Sequence, residues 1–250
     1  MSKRTVSDGP TLATAARGST QKIEVDTRAR SLPISLHGEL FDTSSFDADP
    51  TQALSTYQEE LGWILDRRGV DSSRYVETPP KVFFQALQSV ATATARNEAL
   101  FLLATCLDEA VAHRVLPSHV EITRQLSEDE FTLLREISSS HRGTPVGDAM
   151  LVIPRAQPIL HYKYVVLEAT ANPVVHKVNI PQYIDNLSRL RLISVHEEPA
   201  ASEATYLEMS RYKFLKEIKA DVPKRSKIAI HPLSVHLTEL GRGLLAICSL

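Results

Sequence analysis

Nine histidines are the residues of this 250-residue chain best equipped for chemistry, because imidazole titrates near neutral pH and ligates transition metals. Their spacing limits what they can do. His113 and His119 stand six apart across a break containing Pro117; His161 and His176 lie in a proline-rich stretch; His231 and His236 flank a presumed turn at Pro232. None offers the i, i+4 or His-x3–5-His spacing together with the cysteine or carboxylate partners that a zinc site requires. No metal is expected, and the imidazoles read as surface groups. Cys106 and Cys248 sit inside apolar helical text, FLLATCL and GLLAICSL, where a thiol behaves as a small buried hydrophobe. Two cysteines are too few for a disulfide framework. Asp108 and Glu109 follow one another on a helix and point about 100° apart, so they form no glycosidase-type pair. No G-x-S-x-G elbow and no glycine-rich phosphate loop occurs, and Gly241-Arg242-Gly243 reads as close packing in the last helix. No catalytic residue and no cofactor is expected; the chain reads as a non-enzyme.

Binding chemistry remains. Gln182, Asn186 and Arg189 fall on the outward side of one helix and are residue types that read base edges. Lys224, Arg225 and Lys227 precede a strand and could meet phosphate. Duplex DNA is therefore one candidate partner. Against it, residues 178–250 carry ten Lys/Arg and eight Asp/Glu, and Asp185 shares the reading helix. The net charge of −2 also argues against bulk attraction to nucleic acid or anionic membrane. The other candidate is a protein partner or a second copy of the chain, held by one-sided apolar helices between 51 and 137.

These residues need elements to position them. Residues 1–50 are rich in Ser, Thr, Asp, Ala and Gly and read as a flexible arm, in which Ile23/Val25 and Leu32/Ile34/Leu36 could add a strand. Asp49-Pro50 opens a helix carrying Leu54, Tyr57, Leu61, Ile64 and Leu65 until Gly69. Thr78-Pro79-Pro80 opens a second helix, Asn97–Val111 reads as a third, and Pro117-Ser118 starts a fourth. Ser127 with Glu130 forms a capping box ahead of a fifth, which carries Phe131, Leu133, Leu134 and Ile137. Residues 144–177 read as a β-rich insertion with four prolines. Ile184, Leu187 and Leu190 mark the reading helix, Thr205 to Ala220 another, and Lys227 to Leu250 reads as strand, Pro-marked turn, strand and a final helix from Thr238. No apolar run approaches the roughly 20 residues that span a bilayer, and the N-terminus lacks a secretory core. A cytoplasmic setting is expected, with no membrane contact.

Three phrases in this order resemble the abortive-infection alpha (Abi-alpha) family of bacteria. They are PSHVEITRQLSEDEFTLLREI (Pro117 to Ile137), YIDNLSRLRLISV (Tyr183 to Val195) and VHLTELGRGLLAIC (Val235 to Cys248). The resemblance covers roughly residues 56 to 250. It departs from the family text where Arg191 stands for a helix-ending glycine, where Glu239-Leu240 replaces Pro-Phe, and in the length of 144–177. It implies a role in phage defence with no established catalytic constellation.

The expected fold is mainly α with a minor α+β part. After a flexible arm (1–50), a helical domain (51–116) leads into an elaborated winged helix-turn-helix with a β-hairpin wing (117–250), interrupted by the β-rich segment 144–177. The expected function is a phage-defence accessory protein acting through protein–protein interaction, or alternatively a winged-helix DNA-binding regulator.

Overall fold

The computed structural model describes residues 20–23, 34–37, 50–76, 81–90, 92–218 and 226–249. Strands β1 (Thr20–Ile23) and β2 (Ile34–His37) pair antiparallel as a two-stranded sheet of their own. They fall in the stretch read as a flexible arm; the rest of that stretch lies outside the described residues.

The helical layer follows the apolar stripes of the sequence. Helix α1 (Pro50–Arg67) begins on its proline and stops ahead of Gly69, whose φ of 66° a side-chain-bearing residue would resist. Then come α2 (Lys81–Val90), α3 (Arg96–Thr105), α4 (Pro117–Arg124) and α5 (Glu128–Ser138). Helix α3 ends earlier than its apolar pattern indicates. Its extension is replaced by a turn around Asp108, which accepts the Ala110 N–H at 3.1 Å and binds the Arg74 guanidinium through both oxygens at 2.8 Å. The capping box forms as read. The Glu130 N–H donates to Ser127 Oγ at 3.3 Å, and the Ser127 N–H donates to Glu130 Oε2 at 2.7 Å. Leu61, Leu65, Phe83, Leu102, Leu103, Phe131 and Leu134 are fully buried between these helices, each burial stabilising the fold by about 1.5–3 kcal/mol.

The second half overturns the winged-helix expectation. Strands β3 (Thr144–Val152), β4 (Ile159–Val166), β5 (Ile193–His196) and β6 (Lys227–Leu237) form one antiparallel sheet in the order β4-β3-β6-β5. The segment read as an insertion supplies half the strands. The segment read as a hairpin wing is a single eleven-residue strand, paired with β3 from Lys227 to Val235 and with β5 from Ser234 to Leu237.

The misread turn has a physical cause. Ile228 and Ile230 pack into a small core beneath Tyr206, Met209 and Leu215, whereas Leu233, Val235 and Leu237 face the main core. The strand therefore changes its buried face at Pro232, and the alternation slips by one residue, as it would at a turn. Pro232 is tolerated because β5 does not reach it, leaving one edge of β6 open there.

Helices cover both faces of the sheet. Short α6 (Glu168–Ala171) and α7 (Ile180–Arg189) join α5 on the main-core side. On the other side lie α8 (Glu203–Met209) and α9 (Lys213–Ile218), which divide the expected single helix from Thr205. Helix α10 (Glu239–Ile247) closes the fold, with Thr238 Oγ1 accepting the Gly241 N–H at 3.1 Å. One apolar core runs from Leu61 to Cys248 and joins helical layer and sheet. Burial pushes the thiols of Cys106 and Cys248 up to about 12, so both are inert hydrophobes.

Candidate functional site

Among the described residues, a cleft of about 490 Å³ lies between α1 and α3. Helical spacing places Glu59, Glu60, Trp63 and Ile64 on one wall and Arg96, Asn97, Leu100 and Phe101 on the other. Ile64 and Leu100 are buried and form an apolar floor. Above it stands Trp63, the single tryptophan of the chain, 53 % exposed. The Arg67 guanidinium lies 5.1 Å from the Trp63 ring centre and limits its freedom. Across the cleft, Arg96 donates to Glu60 Oε1 at 2.8 Å, and that carboxylate holds the guanidinium above its ordinary value. The cleft thus offers an aromatic anchor, an apolar floor and a charged rim, the composition of a protein-binding hot spot.

The residues expected to read DNA are placed as follows. Gln182 is exposed on α7, but Asn186 and Arg189 are used within the fold. Asn186 Nδ2 donates to Glu130 Oε1 at 2.6 Å and to the Gln125 carbonyl at 3.3 Å, while Arg189 Nη2 donates to Gln125 Oε1 at 2.9 Å. Asp185 pairs with Lys163 at 2.5 Å. Lys227 is exposed at the start of β6. Lys224 and Arg225 lie outside the described residues.

Asp129 forms a second joint between α5 and the approach to α7. Its nearly buried carboxylate accepts the Val175 N–H at 2.8 Å, the His176 N–H at 2.9 Å and the Tyr183 hydroxyl at 3.2 Å, and lies 2.9 Å from His176 Nδ1. Burial alone would raise its pKa; the hydrogen bonds from Val175, His176 and Tyr183 outweigh it and hold the carboxyl below its usual range.

The three sequence phrases meet at these joints. Pro117 to Ile137 forms α4 and α5, Tyr183 to Val195 forms most of α7 with β5, and Val235 to Cys248 forms the end of β6 with α10. Asn186 and Arg189 join the second phrase to the first, and the Thr238 hydroxyl, on the carbonyls of Arg191 and Leu192, joins the third to the second. The sequence matches the family described as abortive infection alpha over residues 21–248. The chain belongs to the abortive infection alpha family. The match starts well before residue 56, so it takes in most of the stretch that the three phrases left out. Comparison with curated proteins and with solved structures gives no match.

In this abortive infection alpha protein the histidines serve varied ends. His119 Nδ1 accepts the Leu116 N–H at 3.2 Å at the start of α4, and burial lowers the His119 pKa. His176 leans on Asp129, and His113 is exposed. His236 stacks edge-on against His196, a pairing that the His231/His236 reading missed. Among the described residues no three His, Cys, Asp or Glu side chains converge as metal ligands, and no helix is long and apolar enough to cross a membrane. The reading by residue type also passed over Trp63. Its signal was a lone tryptophan between charged residues, off the Leu61/Ile64/Leu65 stripe.

Proposed function

We propose that this protein acts in phage defence by binding a protein partner rather than by catalysis. The cleft between α1 and α3 seats an amphipathic helix of that partner, with one large apolar side chain against Trp63 and polar groups on the Glu59–Arg96 rim. The observation that carries this reading is Trp63, half exposed over the Ile64–Leu100 floor and flanked by Arg67 and Glu60. Removing such an anchor costs an interface about 2 kcal/mol or more, while an exposed substitution changes folding stability by only about 0.5 kcal/mol.

Trp63→Ala and Trp63→Glu are therefore expected to keep the melting temperature and lose phage protection in a plating assay. A photo-crosslinker at position 63, but not at exposed His113, should capture one protein from protected, infected cells. Full protection by Trp63→Glu would sink this reading. The DNA alternative has less support, since Asn186 and Arg189 are engaged within the fold.

A further inference from the structure

Strands β5 and β6 carry the same four-residue pattern: Ile193-Ser194-Val195-His196 and Leu233-Ser234-Val235-His236. Their antiparallel register sets Val195 opposite Val235, Ser194 opposite His236 and His196 opposite Ser234. Local two-fold symmetry results. Both valines turn toward the main core, so the two serines and two histidines share the other face of the sheet. There the imidazole centres stand 5.0 Å apart with their planes at 83°.

Both rings are oriented in the same way. His196 Nε2 lies 2.8 Å from Ser194 Oγ, and His236 Nε2 lies 3.1 Å from Ser234 Oγ. When Nε2–H is donated to the hydroxyl, Nδ1 is left as a bare lone pair. Metal-binding histidines are tuned in this way, the outer hydrogen bond fixing tautomer and ring direction. Neither Nδ1 has a hydrogen-bond partner among the described residues. The backbone at Gly143 closes on the His236 ring so tightly that an added Cβ would lie 2.5 Å from Cε1, which holds that ring in place. His196 is exposed and is followed by the exposed acids Glu197 and Glu198, whose charge favours a cation. The nearby Arg242 is paired with Glu239 at 2.6 Å, which offsets its repulsion.

We propose that His196 and His236 form a two-imidazole chelate for a late first-row divalent cation, of the class of Cu²⁺, Ni²⁺ or Zn²⁺. Water completes the coordination sphere. With two protein ligands it is an open, micromolar site rather than a closed structural zinc site. Bound metal cross-links the short edge strand β5 to the central strand β6.

The test uses full-length, tag-free protein titrated with Cu²⁺, Ni²⁺ or Zn²⁺ by calorimetry, with electron paramagnetic resonance on the Cu²⁺ form. Wild type is expected to bind one equivalent and to show coupling to two imidazole nitrogens. His196→Gln and His236→Gln each weaken binding about tenfold or more, while His231→Gln on the same strand leaves it unchanged. Ser194→Ala with Ser234→Ala keeps the stoichiometry and lowers the affinity, as loss of orienting groups should. His196 is exposed, so its variant is expected to melt like wild type in chelator and stands as the control for folding. Equal affinity in wild type and the His196→Gln/His236→Gln double variant, or a wild-type spectrum lacking two nitrogens, overturns the proposal.

Discussion

Arg191 shows how one residue can carry a conformation that its side chain opposes. Helix α7 ends in a Schellman turn: the Arg191 N–H donates to the Ser188 carbonyl and the Leu192 N–H to the Leu187 carbonyl, both at 2.9 Å. Arg191 must take φ 59° to make it, a conformation in which Cβ crowds the following carbonyl. The family-typical glycine is free of that conflict. Arg191→Gly is therefore expected to stabilise the fold by about 1 kcal/mol, read as a rise in melting temperature. Asp129 makes the opposite case, a residue whose charge the fold requires. Its folded pKa lies below the unfolded value, so its contribution is complete above the ordinary carboxylate range and is lost as pH falls through the depressed value. Asp129→Asn should cost about 2 kcal/mol at pH 7. The gap to wild type should narrow in urea melts taken below about pH 4; a constant gap at every pH would show that the carboxylate charge is irrelevant.

Strand β6 is the element on which the architecture depends. It lies between β3 and β5 and buries opposite faces at its two ends. A scan of serine substitutions read by urea midpoint should reveal the change of phase. Ile228 and Ile230 should be sensitive before Pro232, with Ala229 tolerant; Leu233 and Val235 should be sensitive after it. The fully buried Val235 should cost the most, about 3 kcal/mol. Equal tolerance at Ile230 and Ala229 would contradict the single-strand pairing. The same change of face explains why 227–237 reads as two strands: period-2 reasoning assumes one buried face per strand.

At the scale of the whole molecule, Arg68 ties the first helix to the last. From the end of α1 it donates to Thr105 Oγ1 at 2.7 Å, to the Ile247 carbonyl at 3.3 Å and to the Ser249 carbonyl, so a cation caps the C-terminal end of α10. Burial lowers the pKa of this guanidinium from its ordinary value, with Cys248 and Asp108 opposing the shift. Arg68→Ala leaves those carbonyls without the cation. A loss of about 2 kcal/mol is expected, with faster amide exchange along α10 than along α5. Unchanged exchange in α10 would show that the core contacts of Leu244 and Ile247 hold the helix by themselves.

By itself the sequence determined whatever depends on near neighbours. Pro50 and Gly69 bound α1, Ser127 and Glu130 cap α5, Thr238 starts α10, and three phrases mark the family. Each depends on residues a few positions apart, whose effects on the backbone are local. Only the tertiary structure decided the sheet, because its strands are drawn from residues 144 to 237 and pair across long separations. The same holds for the candidate sites. Trp63 faces a cleft because α3 packs beside α1, Asn186 and Arg189 are engaged because α7 meets the α4–α5 turn, and His196 meets His236 because a repeated Ser-Val-His tripeptide pairs with its copy forty residues on. Spacing within one element gave no sign of these meetings, since each is made between elements.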